Sequence, residues 1–422
     1  VSPRTVLTPY TDLFAVPGAR AFSSAGLLAR VPMSTAGLGS VLLVEGESGS
    51  YALAGAVAGT NALSFAIGSP QWARAMDRVG QSRVLRATAV LSLVVGLAFV
   101  AAVVSGAPHW TWFALAALAG GTAANVGSVV RSRWANVLPE QGQRQTAFAF
   151  ESVADEVVFV VAPPAVTFLA ALIAPPLGFL TGMLIGVVGA LVLSRQEATA
   201  PPVAPRVAGQ PRTRSRVLTP GLVAIGITYL AVGTVFGAVD VVVVGFAEDE
   251  GAPAAAGIAL SAYAAGSLLA GLAYGIVKLP GTLVTRFLGA ALLFAAAAQT
   301  LHLVGSLTTL VGFAFLAGLA IAPVLIAGMS VVESRVPRAS LTEGLTWTST
   351  GLTVGLTAGS ALAGIAVDHW GAESAFAVPA LGAALAGLLA VAAWLVLRRT
   401  PAPAGSPAEA EVDAGADAGA PA

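Results

Sequence analysis

The chain has no cysteine, three histidines and, among its 21 basic residues, a single lysine. Without cysteine it can form no disulfide, thiol nucleophile or thiolate metal site. Charge is also scarce. Only 10% of the 422 residues are charged while 56% are hydrophobic, against about 25% charged in ordinary soluble domains, which excludes a water-soluble globular protein. The 21 basic and 21 acidic residues balance, so no net charge draws the chain to nucleic acid or acidic lipid. His109, His302 and His369 are far apart in sequence. There is no phosphate-binding loop, GxSxG elbow or HExxH pair, so neither an enzyme nor a bound cofactor is expected. No soluble domain is available to house a nucleotide, which argues against ATP-driven work.

What the chain does have is long uncharged runs. A bilayer core of roughly 30 Å needs about 20 apolar residues per helix. Twenty-six uncharged residues separate Glu47 from Arg74, 23 separate Arg216 from Asp240, and 24 separate Glu343 from Asp368. The runs 87–130 and 287–332, of 44 and 46 residues, are each long enough for two spans joined by a turn. The reading is twelve spans, at 21–44, 51–73, 84–105, 111–133, 146–171, 175–194, 220–245, 254–277, 282–303, 308–331, 344–367 and 374–397. With an even number of spans the two ends lie on one side, and 20 of the 21 basic residues then fall on that side. The opposite loops hold Glu45, Glu47, Glu248, Asp249, Glu250, Asp368 and Glu373 with no basic residue. The positive-inside rule therefore predicts both termini in the cytoplasm.

Trp110, Trp112 and Trp370 fall at the outer surface on this reading, and Trp72, Trp134 and Trp394 near the inner one, as interfacial anchors do. The first apolar stretch follows about 20 mixed residues and reads as a retained span rather than a cleavable signal. Twenty arginines against one lysine, with abundant Ala and Gly, suggest a GC-rich bacterial coding sequence, with Val1 translated from an alternative start codon. A bacterial inner membrane is the expected location. Residues 195–219, with Pro201, Pro202, Pro205 and Pro211, read as a cytoplasmic linker between six-helix blocks at 21–194 and 220–397. Overlaying Ala54-Gly55 on Ala256-Gly257 places span 2 on span 8, the mark of a parallel repeat. Residues 1–20 form a cytoplasmic lead segment, and 398–422 a disordered tail.

Between spans 2 and 3 the chain reads Ala73-Arg74-Ala75-Met76-Asp77-Arg78-Val79-Gly80-Gln81-Ser82-Arg83. With twelve spans in a 6+6 arrangement, this loop resembles the signature of the major facilitator superfamily of secondary transporters. Asp77, Arg78, Gly80 and Arg83 match it, whereas Ala73 replaces a leading Gly, and Gln81 and Ser82 replace basic residues. The physics stands beside the resemblance: a Gly suits the tight turn, and Asp and Arg can latch helix ends. The resemblance implies an inner gate in which Asp77 and Arg83 meet the start of span 11 at Thr342-Glu343. The alternative is a loop whose charges only set topology. Arg131 in span 4 resembles the family's arginine in that helix, and Ala162-Pro163 stands where family exporters often carry Gly-Pro. The implied fold is all-helical, two pseudo-symmetric six-helix bundles that rock about a central cavity.

Ionisable residues inside a membrane are the best pointers to function, because each costs at least about 2.5 kcal/mol at a helix centre unless partnered. Arg30 lies about ten residues into span 1, and Asp155 and Glu156 nine and ten residues into span 5. At ~1.5 Å per residue they share one depth. A pair of Arg30 with Asp155 or Glu156 is predicted, leaving one carboxylate to carry a proton, with Glu151 one turn away to extend the relay. The alternative is a fixed structural salt bridge, with Glu151 snorkelling toward the surface. Ser34, Thr35, Asn125, Tyr229 and Thr234 are candidates for lining a substrate cavity, and Asp240 for a gate or substrate contact. Gly351, Gly355 and Gly359 form a smooth face on span 11 for close packing.

The expected function is proton-coupled efflux of a neutral or cationic amphipathic small molecule by a monomer in the lipid bilayer. Uptake of a small nutrient such as a sugar is the runner-up, and a receptor or lipid flippase the alternative of another class.

Overall fold

The computed structural model describes residues 3–203, 217–252, 254–277 and 279–399. Residues 204–216 of the expected linker and 400–422 of the expected tail lie outside the described residues, as does Lys278. Sixteen helices follow in order: α1 (Pro3–Leu13), α2 (Ala19–Ala29), α3 (Val31–Ser48), α4 (Tyr51–Val79), α5 (Gln81–Val104), α6 (His109–Thr122), α7 (Val126–Val137), α8 (Gln141–Leu172), α9 (Pro175–Ser194), α10 (Pro220–Asp249), α11 (Ala254–Tyr274), α12 (Leu283–Gln299), α13 (Leu307–Gly318), α14 (Ile321–Arg335), α15 (Leu341–Ala375) and α16 (Ala377–Leu397). Among the described residues there is no β-strand.

Eleven stretches of the described residues are long and apolar enough to cross a bilayer. The twelfth expected span is α4, 29 residues long. Three expected spans are each made of two helices. Span 1 breaks at Arg30 between α2 and α3, span 4 between α6 and α7, and span 10 between α13 and α14. The first break has a covalent cause: Pro32 stands at the start of α3 and has no N–H for the carbonyl one turn back. The second is capped by Asn125, whose Oδ1 accepts from the Ser128 backbone N–H at 3.0 Å. Asn is among the residues that favour this position. Span 11 ends where Gly371, at φ 78°, interrupts α15.

The chain divides into two compact units, Val1–Pro139 with Phe150–Pro201, and Glu140–Ala149 with Pro202–Ala422. Their internal packing follows one scheme. In the first unit α4 packs on α6, α3 on α9 and α5 on α9; in the second α11 packs on α13, α10 on α16 and α12 on α16. These are equivalent pairs six spans apart, the relation a parallel repeat predicts.

Close backbone approach, rather than side-chain volume, joins α10 to α15. A Cβ at Gly355 would collide with the Leu230 carbonyl and one at Gly359 with the Thr234 carbonyl, while Gly233 and Gly237 meet the Leu352 and Leu356 carbonyls from the other side. Backbone atoms cannot swing aside, so Gly355→Val is expected to destabilise the protein by at least about 1–3 kcal/mol, the range for overpacking. Gly364 on the same helix has nothing within 4 Å of a Cβ. Gly364→Val should melt with the parent in detergent; equal melting of both variants would contradict the close approach.

The division of units differs from the expected boundary at residue 195 in one respect. Residues 140–149, the first turns of α8, belong with the second unit. There Arg144 Nε lies 3.1 Å from Glu333 Oε1, both side chains about 5% exposed. Thr146 Oγ1 donates to the Gly275 carbonyl at 2.6 Å, and Gln145 Nε2 to the Tyr274 carbonyl at 3.0 Å. Arg144, one of the 20 basic residues expected on the side of the termini, is buried as a partner of Glu333. Arg144→Ala removes the cation described beside the buried Glu333 carboxylate and is expected to cost about 3–5 kcal/mol, read as a lowered melting temperature that Arg144→Lys restores in part.

Candidate functional site

The break in span 1 sets up the first unit's charged centre. Where α2 stops, Arg30 turns inward and its Nε donates to the Gly26 carbonyl at 3.1 Å. Two other helices supply its surroundings. On α7, Arg131 and Trp134 are three residues apart and so share a face. On α8, Glu151 and Asp155 are four apart and share another. Gly127 allows the approach, since a Cβ there would lie 3.2 Å from Arg131 Nη1.

The resulting cluster has two cations and two anions. Arg30 Nη2 pairs with Glu151 Oε2, and Arg30 Nη1 with Asp155 Oδ1 at 2.6 Å. Arg131 Nη2 takes the other Asp155 oxygen, Oδ2, at 2.8 Å. The second Glu151 oxygen accepts from Trp134 Nε1 at 2.6 Å and from Ser23 Oγ at 3.0 Å. Both carboxylates therefore have every oxygen occupied, which is the condition under which buried charge is tolerated. The Arg30, Glu151 and Arg131 side chains are 1%, 0% and 8% exposed, whereas Asp155 is 22% exposed. Asp155 is thus the one member that bridges both arginines and the one that reaches a surface.

The expected pair of Arg30 with Asp155 is present, and Arg30 pairs with Glu151 as well. Glu151 does not snorkel; it is fully buried. Glu156 is half-buried on the next position of α8. Arg131, expected with the inner loops, sits inside the cluster, which therefore holds two bases rather than one. Ser23 and Trp134 had not been singled out for this site. Trp134 is completely buried, not an interfacial anchor, and so is Trp112, whereas Trp110 and Trp370 are exposed. The signal for Trp134 was its three-residue spacing from Arg131.

The loop that resembles the family signature joins α4 to α5. Gly80 has φ 100°, a conformation that L side chains rarely adopt. Arg78 and Arg83 are exposed and Asp77 is half-buried.

The proposed cavity residues divide. Tyr229 is sealed rather than presented: it is fully buried, Gly328 makes room for its ring, and its hydroxyl donates to the Leu325 carbonyl. Thr35 is buried too, its hydroxyl bonded to the Val31 carbonyl at 3.0 Å. Ser34 donates to the Val31 and Val158 carbonyls, and Thr234 to the Leu230 carbonyl. Asn125 is occupied as the cap of α7. Asp240 is exposed on α10, nine residues before that helix ends.

Comparison with known proteins agrees with this architecture. The human organic anion transporter MFSD10 superposes with a TM-score of 0.67 at 16% identity, over 89% of this chain and 99% of that one. A bacterial homologue of the iron transporter ferroportin in an outward-facing state does so with a TM-score of 0.71 at 12% identity, over 89% and 99%. With iron soaked in, that homologue gives 0.67 at 13% identity, over 89% and 98%. At such identities the likeness is one of fold. No curated protein matches the chain. The model of the Major Facilitator Superfamily matches residues 23–251 and again 221–420, and with membrane-spanning helices in two equivalent units the chain belongs to that superfamily.

Proposed function

We propose that the chain is a proton-coupled secondary transporter in which Asp155 is the exchangeable carboxylate. The observation that carries this is its position: it neutralises Arg30 and Arg131 together, and it is the cluster's only member with substantial exposure. Protonating Asp155 weakens two ion pairs at once, joining α2, α7 and α8, so one proton acts on three helices. A coupling group must do this, since a ligand shifts a conformational equilibrium only through its differential interaction with the two states. Arg30 and Glu151 serve as the sealed partner pair that keeps the cluster assembled. Asp77, Arg78, Gly80 and Arg83 are assigned to gating at the cytoplasmic end.

The substrate proposed is a neutral or cationic amphipathic compound moved outward across a bacterial inner membrane by a monomer with both termini inside. Charge in the spanning helices is concentrated in the first unit, and exposed Asp240 offers a counter-charge in the second. A second reading has its own observation. Because Asp155 balances two arginines, its protonation leaves the cluster with one net positive charge, which suits an anionic nutrient entering with a proton. The test is transport in proteoliposomes with an imposed pH gradient, over cationic, neutral, anionic and sugar compounds. Outward movement of cations or neutral amphiphiles against proton entry supports efflux. Co-entry of an anion with protons supports the second reading, and no response to the gradient contradicts both.

A further inference from the structure

The lead segment does not hang free of the first unit. Tyr10 and Leu13 of α1 are buried, and the chain after them curls through Phe14 N–H to the Thr11 carbonyl and Ala15 N–H to the Asp12 carbonyl, both 3.1 Å. Arg20 Nε then holds the Phe14 carbonyl at 3.2 Å, and Gly18 makes the turn into α2 at φ 83°. This places the Phe14 ring edge-on to two others, 6.2 Å from Trp134 and 5.0 Å from Phe150, centroid to centroid. Phe22 closes on Trp134 from α2 at 4.6 Å. Such geometry is the favourable one for aromatic pairs. Behind this wall lies Glu151, which follows Phe150 directly and accepts the indole N–H of Trp134.

We propose that the lead segment is a lid, with Phe14 seated on Trp134 and Phe150, that shuts off water from Glu151 at the end where the chain enters the first unit. Phe14 is itself half-exposed, so it is the outermost layer and the one that can leave without breaking a helix. With the lid seated, Asp155 is the cluster's open side and Glu151 its closed side, which gives proton exchange a single approach. The lid is defined by contacts within one unit; its description as cytoplasmic rests on the proposed topology, and its role in coupling on the proposed transport.

The absence of native cysteine makes a direct test available. Ser23, which donates to Glu151, is replaced by Ser23→Cys, and labelling by a water-soluble maleimide is followed on the full chain in detergent. Slow labelling is expected. Adding Phe14→Ala should speed it roughly tenfold, the factor equivalent to about 1.4 kcal/mol, whereas Phe14→Leu should stay near the parent. Equal rates with Phe14→Ala and Phe14 would overturn the lid. Should Ser23→Cys fail to fold, amide hydrogen exchange of the otherwise native chain answers the same question. Phe14→Ala is then expected to accelerate exchange in residues 19–25 and 148–153 while sparing α16. Unchanged exchange there would equally overturn it. Neither readout involves transport, so loss of the lid and loss of proton coupling are separable results.

Discussion

Arg30→Met is expected to destabilise the protein by about 3–5 kcal/mol, the usual cost of leaving a buried charge without its partner. The side chain itself packs well as methionine, so the loss arises from the anions left behind. Glu151 suffers most, because it is fully buried and its described ion pair is with Arg30 alone. Asp155 retains Arg131 at 2.8 Å. The two possible double variants should therefore behave differently. Arg30→Met with Glu151→Gln removes one charge of each sign, keeps an acceptor for Ser23 and Trp134, and leaves Asp155 with Arg131; it is expected to recover most of the melting temperature. Arg30→Met with Asp155→Asn also removes one of each sign but strands Glu151 and orphans Arg131, and should recover little. Net charge is the same in both. Equal recovery would mean that only the count of charges matters, and would contradict the pairing described.

Asp155→Asn alone should abolish proton-driven transport while leaving the protein folded. The amide keeps an oxygen for one arginine but no charge, so Arg30 retains Glu151 while Arg131 loses its described counter-ion, and the cluster gains one positive charge, as it would on protonation of the native carboxylate. The variant then resembles a permanently protonated carrier: substrate exchange across the membrane without a gradient should persist, and accumulation driven by a gradient should fall to background. Glu156→Gln is the contrasting change. The sequence leaves open whether Asp155 or Glu156 is the spare acid, whereas the function proposed above rests on Asp155, so Glu156→Gln should retain gradient-driven accumulation. The reverse outcome, with coupling lost in Glu156→Gln and kept in Asp155→Asn, would move the site one residue along α8.

The spans were legible because hydrocarbon thickness demands long uncharged runs, and no competing interaction shortens them. Nine of the sixteen helices each correspond to one expected span, whereas spans 1, 4 and 10 are each two helices, with Pro32 and Asn125 standing at the first two breaks. The cluster was legible only in part. Arg30 and Asp155 stood out as charges at matched depth, but matching the depth of main-chain positions misses that an arginine side chain reaches a full turn along a neighbouring helix, as Arg30 does to Glu151. Arg131 was marked by the family resemblance alone, and its place in the cluster was hidden for a different reason. It lies near the end of an uncharged run, where loop arginines also lie, and position along the chain does not tell an inward-facing side chain from one in water. Trp134 and Tyr229 failed in the same way: an amphipathic ring has one chemistry at an interface and another when its N–H or O–H has a buried acceptor. The docking of residues 140–149 with the second unit leaves no trace in hydropathy, because it depends on side chains such as Arg144 and Glu333 meeting across a long sequence separation.

The measurement that bears most directly on the central claim is substrate-dependent proton flux in proteoliposomes, followed with a pH-sensitive dye for the native chain and for Asp155→Asn. The account predicts that a transported compound drives proton movement through the native protein and none through Asp155→Asn, with gradient-independent exchange of that compound intact in both. Equal proton flux in the two proteins would contradict it and reduce the Arg30, Arg131, Glu151 and Asp155 cluster to a structural element.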